Sequence, residues 1–379
     1  NKQIKNKKNI INIMGYFFTG GIEKFILDID KYGDHKKNNY FLLFLNNKNH
    51  NVNTNLKNFT CIYFKDNYEL LNLINIIDPL IIIDHYSQYL ENSIYNHKIY
   101  QNITIHIIHS AINYNNDISS LNIENCIHLY KEENKHESWN KIQNNYYNTL
   151  GIKIINKKDL DIINNQKKSC IEQNKQLIIA IIGRIVEEKI PIHFFEKLCK
   201  LSLEKKNIII RIYGSQNHVL DVNYNSQFDK LIENSNIELY GQINYENMNE
   251  VYEKINYLLI PSKFETGSYT CLEALSYGIP VITRNNYGLK KILKNNITGH
   301  LCNNDDEIIE KMKYLYFDNL NKNYSIIYKE SLKYNILDKI KNFESLIEKH
   351  INNKNLIIIT SILNISKNEL SYYHIRSVF

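Results

Sequence analysis

The stretch "LLIPSKFETGSYTCLEALSYGIPVITR", residues 258–284, decides how the chain is built. It opens on an apolar run and closes on another, "GIPVIT", with a short amphipathic piece between them. Ser268 suits an N-cap, "YTCLEALSY" a short helix and Gly278 the residue that ends it, with Pro280 just beyond. Strand, helix and strand in that order form the unit of a parallel sheet. Glu265 falls on the loop leaving the first strand, and Glu273 lies inside the helix, more than a turn further on. Such spacing does not make an acid/base dyad. It suits a grip on two separated parts of one extended ligand, with a solvated helix residue as the alternative for Glu273.

The same alternation extends in both directions. Upstream, "IINIMGYF" (10–17), "YFLLFLN" (40–46), "PLIIIDH" (79–85) and "ITIHIIH" (103–109) are unbroken apolar runs, as parallel strands buried on both faces require. Between the first two, "GIEKFILDIDKYG" sets Ile22, Phe25, Ile26 and Ile29 on one helical stripe. A polar stretch at 164–176 reads as a linker. A second series follows: "LIIAIIG" (177–183), "NIIIRIYG" (207–214), "NIELYG" (236–241), "YLLIPS" (257–262) and "PVITR" (280–284), each trailed by a helical segment. The reading is an α/β chain of two doubly wound, Rossmann-like domains facing a central cleft, over residues 1–165 and 177–351, with a linker at 166–176. Residues 332–351 have helical periodicity. From 355 a new strand is expected, so 352–379 reads as a tail or as the start of a further, truncated domain.

Composition sets bounds on function. With 379 residues, 43% of them hydrophobic and 23% charged, the chain is globular and long enough for two or three domains. Tyr is abundant (29), whereas Gly (12), Pro (4) and Trp (1) are scarce, the usage of an AT-rich genome. "NNKNHNVNTN" (46–55) is accordingly a codon-biased loop. The net charge of +6 is spread out and fits a solvated surface, an anionic membrane face or a polyanionic ligand. No basic run is interleaved with aromatics, so nucleic acid is not an expected partner. Cys61, Cys126, Cys170, Cys199, Cys271 and Cys302 contain no CxxC spacing and fit a reducing compartment. Apolar runs such as "LIIAII" are far shorter than the roughly 18–20 residues of a membrane span. No signal peptide is visible, and a cytoplasmic location follows as the expectation. The chain begins with Asn1 rather than Met, which fits a fragment.

In open α/β sheets, ligands bind at the carboxyl ends of strands, beside helix N-termini. "LIIAIIG" runs there into "GRIVEEKIP", which carries Arg184 and Lys189 ahead of a helix opened by Pro191. Two cations on one such loop make an anion cradle, each charge pair contributing on the order of 4 kcal/mol before desolvation. A solvated loop, with Arg184 pairing Glu187 or Glu188, is the other reading.

"GRIVEEKIP", "IRIYGSQN", "IELYGQINYENMNEVYEKINYLLIPSKFETGSYTCLEALSYGIPVITRNNYG" and "NNITGHLC", in that order, resemble the retaining nucleotide-sugar glycosyltransferases of the family 4 type, over about 177–302. The resemblance implies the GT-B fold, with the first domain on the acceptor side and the second holding the nucleotide sugar. It implies that Arg184 and Lys189 hold the donor diphosphate with the Gly267, Ser268, Tyr269 and Thr270 segment. Glu265 would contact the transferred sugar near the reacting carbon, and Glu273 the ribose. The loops after "IRIYG" and "IELYG" would take the base. In the first half, "GYFFTGGIEKFILDID" looks like the family's glycine loop, with Gly20 and Gly21 near donor phosphate or acceptor, and His109 looks like its histidine near the sugar. His85 is a second strand-end candidate, and His106 a core residue.

This sequence departs from the family in two places: Lys291 stands where G-x-x-E would put a glutamate, and "ETG" replaces "EGF". A metal-dependent transferase of the other fold would need a strand-end DxD, but "DID" (28–30) lies in a helical stretch and "DLD" (159–161) near the linker. No GxGxxG follows the first strand and no HExxH occurs. The expectation is transfer, with retention and without a metal or other cofactor, from a UDP- or GDP-sugar to a glycan or lipid-linked hydroxyl in glycan biosynthesis. A basic surface is compatible with peripheral contact to a membrane. A sugar-nucleotide-binding module and an epimerase are the alternatives on the same fold.

Overall fold

In the computed structural model, the residues described are 7–14, 21–45, 56–85, 100, 102–108, 123–129, 137–174, 176–216, 221–265, 267–286, 288–315 and 317–364. Two parallel sheets carry the fold. The first contains β1 (Lys8–Met14), β2 (Asn38–Leu45), β3 (Phe59–Phe64), β4 (Ile81–Asp84), β5 (Thr104–Ile108), β6 (Asn125–His128) and β7 (Asn144–Tyr147), in the spatial order β3-β2-β1-β4-β5-β6-β7. The second contains β8 (Leu177–Ile182), β9 (Ile208–Tyr213), β10 (Glu238–Gly241), β11 (Tyr257–Ile260), β12 (Val281–Arg284) and β13 (Gly299–Cys302), in the order β10-β9-β8-β11-β12-β13. Strand order reverses between β1 and β4 and again between β8 and β11. Those are the two places where a doubly wound sheet opens a crevice for a ligand.

The apolar runs are buried because helices cover both faces of each sheet. Ile10, Ile83, Ile105 and Ile127 share one core with Phe25, Ile26 and Ile29 of the helix Gly21–Tyr32. In the second sheet, Ile179, Ile210 and Leu259 pack with Phe194, Phe195 and Leu198 of the helix Ile192–Glu204. Across its other face, Leu258, Ile260 and Val281 meet Cys271, Ala274 and Leu275 of the helix Tyr269–Ser276.

Two segments depart from the expectation. Residues 166–174 do not form an extended linker but the second half of a helix, Lys157–Asn174. Its apolar stripe is narrow: Leu160, Ile163 and Lys167 are its buried residues, and the rest is solvated. At the other end, the strand expected from 355 is helical backbone, because the helix Ile336–Asn364 runs on through it. Ile336, Ile340, Phe343 and Ile347 of that helix pack into the core of the first sheet, although they follow the second in sequence. Gly151 permits the crossing, since a Cβ there would stand 2.7 Å from Ile336 Cδ1 and 2.9 Å from its Cα.

Candidate active site

Three chain segments meet at the carboxyl ends of β8 and β11. The loop after β8 carries Arg184 and Lys189, the loop after β11 carries Glu265, and the helix Tyr269–Ser276 carries Glu273. Gly183 has φ +152°, with nothing within 4 Å of where a Cβ would be, and a Cβ on Gly214 would stand 1.8 Å from the Gly183 carbonyl oxygen. Glycine at 214 therefore lets the loops after β8 and β9 approach, and glycine at 183 permits its positive φ.

Lys189 Nζ donates to Glu265 Oε1 at 2.7 Å, and the two side chains are 26% and 11% exposed. The cation and the carboxylate thus face the same small volume. The Glu265 carbonyl also accepts from the Gly288 N–H at 3.0 Å, which ties its loop to the segment after β12. Arg184 is exposed and makes no ion pair among the described residues. The alternative pairing with Glu187 does not occur. Glu187 instead accepts from Lys263 Nζ at 2.9 Å and from the Ile192 N–H at 2.9 Å, at the start of a helix whose N-cap is Pro191.

The helix Tyr269–Ser276 begins as its sequence requires. Ser268 Oγ accepts from the Cys271 N–H at 3.2 Å and lies 2.8 Å from Thr270 Oγ1. It ends with Gly278 at φ +65°, where the Gly278 and Ile279 N–H groups donate to the Leu275 and Ala274 carbonyls, a Schellman closure. The Tyr269 and Thr270 N–H groups have no partner among the described residues and are left for a ligand or solvent. Gly267, on the approach to it, leaves room for Leu150 of the first domain, whose Cδ1 a Cβ would meet at 3.2 Å.

Glu273 is held by phenols. Tyr252 Oη donates to its Oε2 at 2.8 Å, and Tyr245 Oη approaches its Oε1 at 3.4 Å. Burial pushes this carboxyl above its ordinary range, and the nearby Lys24 ammonium and the phenol hydrogen bonds act against that. Lys24 belongs to the helix Gly21–Tyr32 of the first domain. Its Nζ lies 4.4 Å from the Tyr245 ring centre and 4.8 Å from that of Tyr269. Gly21 sits against the same Tyr269 ring, 3.7 Å from the position of a Cβ.

The structure pairs Lys189 with Glu265 and sets Glu273 beside Tyr269 and, through that ring, Gly21; Ser268 and Thr270 open the same helix, and Arg184 shares the loop of Lys189. Gly20 and His109 lie outside the described residues. His85 is only 1% exposed; it bonds Asn12 at 2.9 Å and packs on Phe25. His106 pairs Asp84 at 2.8 Å inside the sheet, as a core residue. Both DxD stretches are structural. Asp28 pairs Lys24, Asp30 accepts from the N–H groups of Lys57, Asn58 and Phe59, and Asp161 pairs Lys157. Lys291 lies on the short helix Leu289–Ile292 and is exposed. Sequence reasoning missed Lys24, Tyr245 and Tyr252, whose roles depend on elements far apart in the chain. In a sequence with 29 tyrosines, no single one stands out.

The comparisons with known proteins bear on the fold. Residues 162–335 match the family model of glycosyl transferases group 1. An uncharacterized 41.2 kDa protein in the cps region of Klebsiella pneumoniae is 28% identical over 150 residues, which is 38% of this chain and 39% of that protein's length. Among solved structures, sucrose-phosphate synthase from Thermosynechococcus elongatus superposes with TM-score 0.68 at 12% identity, covering 90% of this chain and 99% of the other. Anabaena HepE in complex with UDP-glucose superposes with TM-score 0.66 at 10% identity, over 90% and 99%. The chain has the two-domain GT-B fold that these structures share, and its residues 162–335 are similar to the glycosyl transferases group 1.

Proposed function

We propose that the chain transfers a sugar from a nucleoside-diphosphate sugar to an acceptor hydroxyl on a glycan or lipid-linked glycan, with retention of anomeric configuration. The observation that carries this reading is the Lys189–Glu265 pair at the switch point between β8 and β11, with Glu273 on the helix that follows. An extended, doubly charged ligand fits that layout. Lys189 and Arg184 take the diphosphate beside the free N–H groups of the helix at Tyr269. Glu265 lies against the sugar and Glu273 against the ribose.

The acceptor oxygen bonds to the anomeric carbon as the bond from that carbon to the phosphate oxygen breaks. The leaving diphosphate takes the acceptor's proton on the same face. Charge that builds on the diphosphate is neutralised by Lys189, Arg184 and the helix amides, with no metal ion assigned to the step. Glu265 holds the Lys189 ammonium in place, so the donor meets a preset cation. Anabaena HepE was solved with UDP-glucose, which makes UDP the first nucleotide to try.

The test is calorimetric titration of UDP, GDP and ADP in EDTA, followed by turnover of the matching nucleotide sugar. One nucleotide should bind the wild type. Lys189→Met should weaken it roughly 10- to 100-fold, the value of a lost charge-assisted hydrogen bond. Glu265→Gln should keep most of the binding and lose turnover. No binding by any of the three, or equal affinity in Lys189→Met, overturns the reading.

A further inference from the structure

Lys24 is a side chain of the first domain that lies against the Glu273 end of the site. Its own element does not explain its position. The helix Gly21–Tyr32 is amphipathic, and its apolar stripe of Phe25, Ile26 and Ile29 faces the first sheet. Lys24 and Asp28, one turn apart, are nevertheless buried as well, each side chain 9% exposed, with Nζ 3.0 and 3.2 Å from the two carboxylate oxygens. A buried ion pair costs desolvation that its attraction barely repays, and a methionine would fill the same slot without that cost. The charge therefore has a use beyond packing.

What Lys24 touches across the cleft shows that use. Its ammonium lies over two aromatic rings, at 4.4 Å for Tyr245 and 4.8 Å for Tyr269. Cation–π attraction grows as the cation loses water, and the Lys24 side chain is 9% exposed although the Tyr245 ring is half exposed. Tyr245 belongs to the short turn Tyr245–Asn247 that follows β10 and directs its hydroxyl to Glu273 at 3.4 Å. Tyr269 is the first residue of the helix that carries Glu273, and its hydroxyl is buried with no hydrogen-bond partner among the described residues. Burial alone would lower the Lys24 ammonium, but Asp28, Tyr245 and Glu273 outweigh it and hold the ammonium charged.

We propose that Lys24 is a positioning residue of the nucleoside-diphosphate site, contributed by the opposite domain. It fixes Tyr245 and Tyr269 and thereby presents the Glu273 carboxylate to the nucleoside half of the ligand. The proposal rests on the donor-site reading above. Its consequence is that the nucleotide end of the site is incomplete in the second domain alone. Lys24 acts through the two tyrosines and leaves the sugar and the reacting bond to Lys189 and Glu265.

The test uses the full chain, with the nucleotide that binds the wild type as the probe. Lys24→Met should weaken that nucleotide roughly tenfold and raise the KM for the nucleotide sugar with kcat nearly unchanged, while Lys24→Arg restores both. A residue that merely staples the domains would shift melting temperature and leave that split unmoved. If Lys24→Met fails to fold because Asp28 is left unpaired, the double variant Lys24→Met/Asp28→Asn removes both charges and is scored in the same way. Wild-type affinity in a folded Lys24→Met or double variant overturns the proposal while the donor reading stands. If the wild type binds none of UDP, GDP and ADP, the donor reading falls and takes the proposal with it.

Discussion

His85 shows how a strand-end histidine can belong to the fold rather than to the chemistry. It follows β4 at the switch point of the first sheet, where a ligand-facing residue would be expected. Its ring is instead enclosed by Phe25 and bonded to Asn12. Burial pushes its pKa down to about 4, against a smaller opposing pull from Asp84. The unfolded chain binds that proton near the ordinary value of about 6.5. Stability from His85 is therefore fully present above about pH 6.5 and is lost as pH falls towards 4, up to on the order of 3 kcal/mol. Urea titrations at pH 7.5 and 4.5 test this. The wild type should lose about 2–3 kcal/mol more than His85→Gln between the two conditions, and the same loss in both would show that the histidine protonates without cost. Strand-end position was legible from sequence, but the ring's direction was not, because Phe25 and Asn12 come from two other elements.

At the scale of elements, legibility followed the strength of the local pattern. The apolar runs of the two series stand as strands, with their ends moved by a few residues, whereas the strand expected from 355 is helix. β3, β6, β7 and β13 were not read as strands; "NCIH" and "NNYY" are too short and too polar to stand out. The helix Tyr269–Ser276 was legible down to its caps because Ser268, Gly278 and Pro280 act locally. Residues 164–174 of the helix Lys157–Asn174 read from sequence as linker because their signal is one narrow stripe in a polar sequence. Lys167 on that stripe gives it a second signature. It is 8% exposed, and its Nζ donates at 2.8 Å to the Tyr252 carbonyl, in the last turn of the helix Met248–Lys254. A cation suits that carbonyl end. Burial nonetheless pushes the lysine down to about 7, with Glu253 opposing. Between about pH 7 and 10.5 the unfolded chain holds a proton that the native chain has released, so stability rises with pH across that window. From pH 7 to 9 the gain should be about 2–3 kcal/mol in the wild type and absent in Lys167→Met. Parallel curves for the two proteins would mean that Lys167 stays charged in place.

At the scale of the molecule, the chain crosses between its domains twice, and the second crossing decides which domain depends on the C-terminal region. The return is fastened by paired backbone bonds, Ile152 N–H to the Tyr334 carbonyl at 2.8 Å and Ile336 N–H to the Ile152 carbonyl at 2.9 Å. Phe343 is then fully buried and meets Phe25 edge to face at 5.2 Å. One residue on, Glu344 accepts from the Tyr40 hydroxyl at 2.7 Å and from the Asp34 N–H at 2.6 Å. The helix Ile336–Asn364 therefore completes the core of a domain whose own strands ended near residue 147. Periodicity revealed the helix but not its destination, since an apolar stripe does not say which sheet it will cover. Removing the Phe343 ring should cost about 3–5 kcal/mol, the usual loss for a buried aromatic cut to alanine. That loss should fall on the first domain. Native-state hydrogen exchange on Phe343→Ala should show β1, β2 and β4 losing protection while β8, β11 and β12 keep theirs. If the second sheet loses protection equally, the two domains unfold as one unit and the helix serves both. If only the second sheet loses it, the packing described for Phe343 is wrong.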